Sequence, residues 1–329
     1  MAFYRRLPPS LVPILLIILA VFLGNFIFLS GLEIDNPITW TAGISHFLCH
    51  VTCGRPMIDP NVGYITQALG HRSAVDLLHG HLPWWNYYEG LGQPLAGEMQ
   101  AASLFPLTLL FALSSGLLWF HICLEVIAGV STYFLARRLS IPVVFATAAG
   151  MLFALNGTFA WLGNAVLNPI AFLPMLLLGI EMIYDGARTR TNKGWYVAAL
   201  AIALSLYAGF PEVAYLDGIF CVGWAVVRFF SLERDVRLLA AKRVGLAGLV
   251  GGAPNPYVYP DNLPRVNARG GPGGAPGCWQ PITRDLWPAP TLVMDTGASL
   301  APYNHIEVGS PWAVEYVWGR QMGDQTINP

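Results

Sequence analysis

The sequence predicts an all-α integral membrane protein with about six transmembrane helices, a large first extracytoplasmic loop and a Gly/Pro-rich, largely irregular C-terminal tail. Of its 329 residues, 55% are hydrophobic and only 11% are charged, a composition that is too apolar for an ordinary soluble domain. Several apolar runs are long enough to cross a hydrocarbon core about 30 Å thick. The basic residues cluster in the short stretches between these runs, as in the cytoplasmic loops of membrane proteins.

The first apolar run, residues 11–32, follows the basic pair Arg5 and Arg6. Because it is long, lacks a small-residue cleavage site and precedes further apolar runs, we interpret it as an uncleaved helix rather than a secretory signal. Segment 101–112 contains Pro106 and is too short to span, so we expect a re-entrant or interfacial helix there. The other predicted spans are residues 113–136, 141–156, 166–184, 195–210 and 213–230.

The basic residues predict how the chain is oriented in the membrane. With about six crossings they fall on one side, whereas the loop at residues 32–100 holds only Arg55 and Arg72. We therefore predict a bacterial plasma-membrane protein with a cytoplasmic N-terminus and an extracytoplasmic loop 32–100. The distribution does not form a nucleic-acid-binding face. The clustered basic residues are Arg5, Arg6, Arg137, Arg138, Arg188, Arg190, Lys193, Arg234, Arg237, Lys242 and Arg243.

The character of the chain changes near Gly251. Apolar periods give way to a tract rich in Gly and Pro, which cannot bury a core. We therefore predict a multi-pass membrane domain at residues 1–251 and a tail at residues 252–329. The apolar run at 244–252 begins like a further span but stops after about two turns, which indicates either a truncation or fusion at this point or a natural linker.

Four of the five cysteines suggest two different roles. Cys123 and Cys221 lie inside apolar runs, where we expect them to pack as small hydrophobic residues. Cys49 and Cys53 flank His50, and this spacing is compatible with a small external disulfide or with a metal ligand set.

A series of short motifs extends from the external loop into the later apolar segments. The motifs are Asp59 with Gln67, Gly80-His81-Leu82-Pro83-Trp84-Trp85-Asn86, Gly92-Gln93-Pro94-Leu95, Leu104-Phe105-Pro106-Leu107, Phe153-Ala154-Leu155-Asn156-Gly157, Phe172-Leu173-Pro174 and Ala208-Gly209-Phe210-Pro211-Glu212. In this order they resemble the YfhO-like family of bacterial multi-pass membrane proteins, part of the broader GT-C-type glycosyltransferases. The resemblance covers roughly residues 10–250. Family members are usually longer and have more spans, so the chain corresponds to their amino-terminal part.

The resemblance implies transfer of a sugar from a polyprenyl-phosphate donor to a cell-envelope acceptor. Such a transfer needs a base that removes the acceptor proton, and a carboxylate at the membrane surface can serve. Asp59 is the first candidate, because the family places its catalytic acid in the first external loop; alternatively, Asp59 forms an ordinary turn with Pro60. Glu33 and Asp35, directly after the first span, and Glu98, before the predicted re-entrant segment, are the other candidates.

Basic and polar residues of the loop supply candidates for substrate binding. Arg72 suits a donor phosphate, because its charge is fixed and its forked donors match phosphate oxygens. His81 is a further candidate, although histidines on a surface helix are commonly just solvated. Glu212 is an acidic residue beside Pro211 at an external turn, at the rim of the predicted spans. The lipid-phosphate sugar is a substrate, and the sequence leaves the need for a divalent metal open.

Aromatic residues accompany these polar groups. Trp84 and Trp85 offer faces that stack on sugars, but Trp also collects at any membrane interface, and both interpretations remain open. Asn86 and Gln93 belong to the motifs that carry the resemblance and are predicted to bind substrate with them.

The tail contains Asp295-Thr296-Gly297, which is typical of aspartic proteases. Such enzymes need a second aspartate, from a second lobe or a dimer, and an apolar-Gly motif well downstream of the first, and the residues after Ser299 contain no such motif. A second set of motifs resembles the carboxy-terminal end of actinobacterial Mce-family proteins, which act in lipid import. The motifs include Asn262-Leu263-Pro264-Arg265-Val266, Cys278-Trp279-Gln280, Thr283-Arg284-Asp285-Leu286-Trp287-Pro288 and Ala301-Pro302-Tyr303-Asn304-His305. The rival hypothesis is therefore a non-enzymatic envelope component, such as an Mce-associated subunit, or an inactive fusion product.

Overall fold

The computed structural model describes residues 11–32, 62–86, 93–157, 165–192, 194–253, 279–281 and 292–294. The chain divides into two compact units. The first comprises Met1–Asp35 and Leu117–Asn255, and the second comprises Asn36–Gly116 and Pro256–Pro329. The predicted division of the sequence at residue 251 stays a prediction.

Most of the described residues are helical. In chain order the α-helices are α1 (Leu11–Gly24), α2 (Phe26–Leu29), α3 (Ala68–Leu78), α4 (Gly116–Arg138), α5 (Val143–Ala154), α6 (Leu173–Arg188), α7 (Trp195–Tyr207), α8 (Pro211–Phe230) and α9 (Arg234–Gly252). The described part also contains a π-helix, Val62–Gln67, and two 3₁₀ helices, Pro106–Ala112 and Ala165–Phe172. Its short strands are β1 (Trp85–Asn86), β2 (Gln93–Pro94), β3 (Trp279–Pro281) and β4 (Leu292–Met294).

Three helical segments of the described residues are long and apolar enough to cross a membrane: Gly116–Arg138, Asn168–Arg188 and Pro211–Phe230. The helices α1, α5 and α7 are apolar but shorter. All of them fall on runs that the sequence predicted as spans, which confirms the membrane-like helical character. The expected number of about six crossings stays a prediction.

Helix ends follow from local chemistry. Pro142 precedes α5, Pro174 lies in the first turn of α6, and Pro211 begins α8. In the first turn of a helix the backbone N–H has no intrahelical acceptor, so a proline, which lacks the N–H, loses no hydrogen bond there. The last turns of α4, α6 and α8 carry cations, which complement the negative end of a helix dipole. These cations are Arg137, Arg138, Arg188 and Arg228.

Glycines let the helices of the first unit approach one another closely. The helices α4 and α5 cross at Gly129 and Gly150, where a Cβ added to Gly150 would lie 2.7 Å from the Gly129 carbonyl oxygen. The helices α6 and α7 meet at Gly179, where an added Cβ would lie 2.5 Å from the backbone nitrogen of Ala198. Small residues allow such contacts between apolar helices, so backbone proximity organises this unit.

The helix α9 is longer than the sequence predicted. We expected an apolar run at 244–252 that ends after about two turns, whereas the helix begins at Arg234 and lies along α7. The Arg243 guanidinium donates to the Thr191 carbonyl at 2.7 Å, and a Cβ on Gly251 would lie 2.5 Å from the Ala199 carbonyl. The buried residues recur at helical spacing and form one packed face. They are Val236, Ala240, Arg243, Ala247 and Gly251.

In the second unit, α3 packs against the first 3₁₀ helix. His71 Nδ1 lies 2.7 Å from the Phe111 carbonyl oxygen and joins the two elements. The predicted re-entrant or interfacial segment 101–112 is helical only from Pro106. The chain turns before that point, because Ala102 adopts a φ of 46°, in the left-handed region.

Short antiparallel ladders complete the description of the second unit. The strand β1 pairs with β2, and β3 pairs with β4. The second ladder lies in the tail, for which the sequence predicted a largely irregular structure. A small apolar cluster joins the π-helix and α3 to the segment that follows β2. It consists of Ile65, Leu69, Leu95 and Ala101.

Candidate functional site

Of the carboxylates predicted as a catalytic base, Glu33, Asp35 and Asp59 lie outside the described residues. Their role stays a prediction. Glu98 is described: it is half-buried, and its Oε1 accepts a hydrogen bond of 3.2 Å from the backbone N–H of Gln100. The structure therefore places this candidate in a folded turn, where the carboxylate is held by the backbone.

The predicted phosphate-binding residue, Arg72, lies on α3. It is half-buried, and its terminal guanidinium nitrogen is 2.6 Å from Asp76 Oδ1, one turn along the helix. A phosphate that binds Arg72 therefore shares the guanidinium with a carboxylate. His81 is exposed just after the end of α3, and Glu212 is exposed in the first turn of α8, which belongs to the other unit.

The structure brings three of the predicted substrate-binding residues onto one ladder. Trp85 and Asn86 form β1 and pair with Pro94 and Gln93 of β2, respectively. The Asn86 side chain is buried, whereas Trp84, two residues earlier, is 57% exposed. The exposed indole of Trp84 is available for stacking.

Three buried hydroxyl groups connect the elements of the second unit. The Ser73 hydroxyl donates to Ser103 Oγ at 2.8 Å, and the Ser103 hydroxyl donates to the Leu95 carbonyl at 2.9 Å. Thr108 donates to the Ala102 carbonyl at 2.5 Å and fixes the turn before the first 3₁₀ helix. Buried hydroxyls are stable only when they are hydrogen-bonded. This part of the predicted loop is therefore a folded unit with a polar core.

The π-helix that precedes α3 carries two buried oxygens without a hydrogen-bond partner among the described residues. They are Thr66 Oγ1 and Gln67 Oε1. An unsatisfied buried polar group costs about 1–3 kcal/mol, and short π-helical turns are frequent at functional sites. Gln67 also belongs to the motif that begins at Asp59. The structure therefore leaves these two oxygens as candidate ligand contacts of the π-helix.

In the first unit, three polar side chains that the sequence patterns did not single out come together between apolar helices. Glu125 on α4 is 1% exposed. Asn25 Nδ2 donates to its Oε2 at 2.5 Å, and His121 Nε2 lies 3.3 Å from its Oε1. Asn25 stands between α1 and α2, and its amide also lies 3.0 Å from the Val21 carbonyl oxygen. We call Asn25, His121 and Glu125 the polar trio.

A second buried acid, Glu181 on α6, has different partners. It is 2% exposed. Arg228 Nε lies 2.8 Å from its Oε1 and Arg228 Nη2 lies 2.6 Å from its Oε2, which is the strong bidentate geometry of a guanidinium and a carboxylate. Trp224 Nε1 donates to Oε1 at 2.8 Å. Both carboxylate oxygens are satisfied, so this group joins α6 to α8.

A third acid, Asp217, lies on the face of α8 that also carries Cys221. Its Oδ2 is buried and has no hydrogen-bond partner among the described residues. An acidic residue inside an apolar run is the sequence signal that would have identified Asp217, Glu125 and Glu181, because such residues are rare in membrane segments.

The described residues contain no group of three or more His, Cys, Asp or Glu side chains that could hold a metal ion. Cys221 is buried, as the sequence predicted, and Cys123 is half-buried. Cys49, His50 and Cys53 lie outside the described residues. The need for a divalent metal therefore stays open.

Comparison of the chain with known protein families, with curated proteins and with solved structures finds no match. The resemblances to the YfhO-like and Mce families therefore rest on the sequence motifs alone and stay predictions.

Proposed function

We propose that this chain is a bacterial plasma-membrane glycosyltransferase that uses a polyprenyl-phosphate sugar as donor and a cell-envelope hydroxyl as acceptor. In this proposal the N-terminus is cytoplasmic, about six helices cross the membrane, and loop 32–100 lies outside. Asp59 is the base. The motif resemblance motivates the proposal, and the three helices that are long and apolar enough to cross a membrane are in keeping with it.

The proposed reaction moves one proton and exchanges one bond. The Asp59 carboxylate takes the proton of the acceptor hydroxyl while that oxygen forms a bond to the anomeric carbon. The bond from the anomeric carbon to the donor phosphate breaks, and the polyprenyl phosphate leaves with the electron pair. The Arg72 guanidinium, which also contacts Asp76 at 2.6 Å, donates hydrogen bonds to the phosphate oxygens.

The observation that carries the proposal is the pair of buried, unpartnered oxygens on the π-helix. Thr66 Oγ1 and Gln67 Oε1 find no hydrogen-bond partner among the described residues, and the π-helix follows closely after Asp59 in the sequence. Sugars present many hydroxyl donors, and acceptors of this kind can bind them. The hydrogen-bonded core of Ser73, Ser103 and Leu95 supports these residues with a defined fold.

The test is a transfer assay in membrane vesicles with radiolabelled polyprenyl-phosphate hexose. We expect Asp59→Asn to lower the transfer rate by about 10²–10⁴-fold, the usual contribution of a general base. The matched control is Asp235→Asn, which removes an exposed carboxylate 3.7 Å from Arg190 at the start of α9 and leaves transfer unchanged. Unchanged transfer by Asp59→Asn would show that Asp59 is not the base. Absence of transfer by the wild-type chain would favour the non-enzymatic envelope component.

A further inference from the structure

The helices around the polar trio carry few ionisable side chains near Glu125 other than His121. The neighbouring elements α1, α2 and α5 carry no ionisable side chain. The helix α6 also contacts α4, and its ionisable groups bond elsewhere: Asp185 to Arg138 and Arg188, Glu181 to Arg228, and Tyr184 to the Ala225 carbonyl. On α4 itself, Cys123 is two residues from Glu125 and points to another side of the helix, while Tyr133, Arg137 and Arg138 lie at least two turns away. His121 is therefore the ionisable neighbour of Glu125 within these elements.

Glu125 contacts one permanent donor and one ionisable side chain. Asn25 donates an N–H to Oε2 at 2.5 Å. Oε1 faces His121 Nε2 at 3.3 Å, and His121 is a cation only when it is protonated. A buried charge without a fixed counter-ion is costly, and the neutral form avoids this cost. Moving the proton from Oε1 to Nε2 gives a carboxylate and an imidazolium, and the number of protons is unchanged.

Both partners are buried: the Glu125 side chain is 1% exposed and that of His121 is 8% exposed. Asn25 lies between α1 and α2, and helical backbone bonds continue through it, from its own N–H to the Val21 carbonyl and from the Leu29 N–H to its carbonyl.

We propose that Glu125 and His121 form a proton-binding site within the apolar helices, with Asn25 orienting the carboxyl group. The site holds one proton, which the carboxyl group of Glu125 and the imidazole of His121 share. The ligand is the proton itself, and its source is the aqueous phase. This site is distinct from the proposed glycosyl transfer, which depends on residues of the other unit.

The test is infrared difference spectroscopy of the full chain in proteoliposomes, recorded between alkaline and acidic buffers. We expect a carboxylic-acid carbonyl band that is lost in Glu125→Gln and shifted in frequency in Glu125→Asp. His121→Gln keeps the band but moves the midpoint of its pH titration. The matched control, Glu233→Gln, removes an exposed carboxylate before α9 and leaves the band unchanged.

If Glu125→Gln does not fold, Glu125→Asp still decides the test. It retains a carboxylic acid, and the frequency of its carbonyl band should differ from that of the wild type. A wild-type spectrum without such a band, or a band that is the same in both Glu125 variants, would overturn the proposal. Neither result depends on glycosyl transfer. The proposed proton site can therefore be disproved without disproving the proposed function, and the reverse also holds.

Discussion

Glu125 and Glu181, two buried acids of the first unit, have nearly the same exposure but contact different kinds of side chain. Glu125 is 1% exposed and contacts an amide and an imidazole, whereas Glu181 is 2% exposed and contacts a guanidinium and an indole. Arg228 is a permanent cation, so Glu181 has a permanent counter-ion. His121 is a cation only when it is protonated, so Glu125 has no permanent counter-ion. Two acids of equal burial therefore differ in the kind of partner that the fold gives them.

The largest expected effect on the free energy of unfolding comes from removing Arg228, the permanent cation beside Glu181. Arg228→Met leaves Glu181 buried without a counter-ion, and removing one member of a buried pair typically costs about 3–5 kcal/mol. The free energy of unfolding, measured by SDS titration in bicelles, reports this change. The control is Arg138→Gln, which breaks the half-exposed contact with Asp185 at 2.8 Å and costs about 0–1 kcal/mol. Equal losses in the two variants would show that Glu181 is not held by Arg228.

An intermediate effect is expected at Asn25, between α1 and α2. Asn25→Leu removes the amide that donates to Glu125 Oε2 and leaves that buried oxygen without its donor, which costs about 1–3 kcal/mol in the free energy of unfolding. The same titration measures it. The control is Ser30→Ala, because the exposed Ser30 hydroxyl bonds only to the nearby Ile27 carbonyl among the described contacts. A loss no greater than that of Ser30→Ala would argue against a structural role for the amide.

The sequence predicts the apolar helices well because nearby residues determine where each helix begins and ends. The predicted span at 113–136 corresponds to Gly116–Arg138, and the one at 195–210 corresponds to Trp195–Tyr207. Prolines, glycines and terminal arginines mark these ends within a few residues. The helix α9 is different, since its charged first half hides a packed face that only the contact with α7 reveals.

The contacts of the buried acids could not be predicted from local patterns. Asn25 and Glu125 are separated by 100 positions, and Glu181 and Arg228 by 47. Helical periodicity indicates which residues share a face, but it does not indicate which helix lies opposite. The acids themselves were visible as charges inside apolar runs, and their partners were not.

The loop shows the same limit. The motifs that contain Asn86 and Gln93 indicated polar residues of one site, and the ladder between β1 and β2 brings those two residues together. The sequence did not indicate that Ser73 and Ser103 form its buried core, because that contact joins elements 30 positions apart. Asp59 lies outside the described residues, so its relation to this core stays a prediction.

The most direct test of the contrast between the two acids is to replace each with its neutral isostere. In Glu125→Gln the new amide reproduces the hydrogen bonds of the protonated acid, so we expect the free energy of unfolding to change by less than about 1 kcal/mol. In Glu181→Gln an amide N–H faces the donors of Arg228, and we expect a loss of about 2 kcal/mol or more. Losses of equal size in the two variants would contradict the conclusion that Glu125 is a proton site and Glu181 a fixed ion pair.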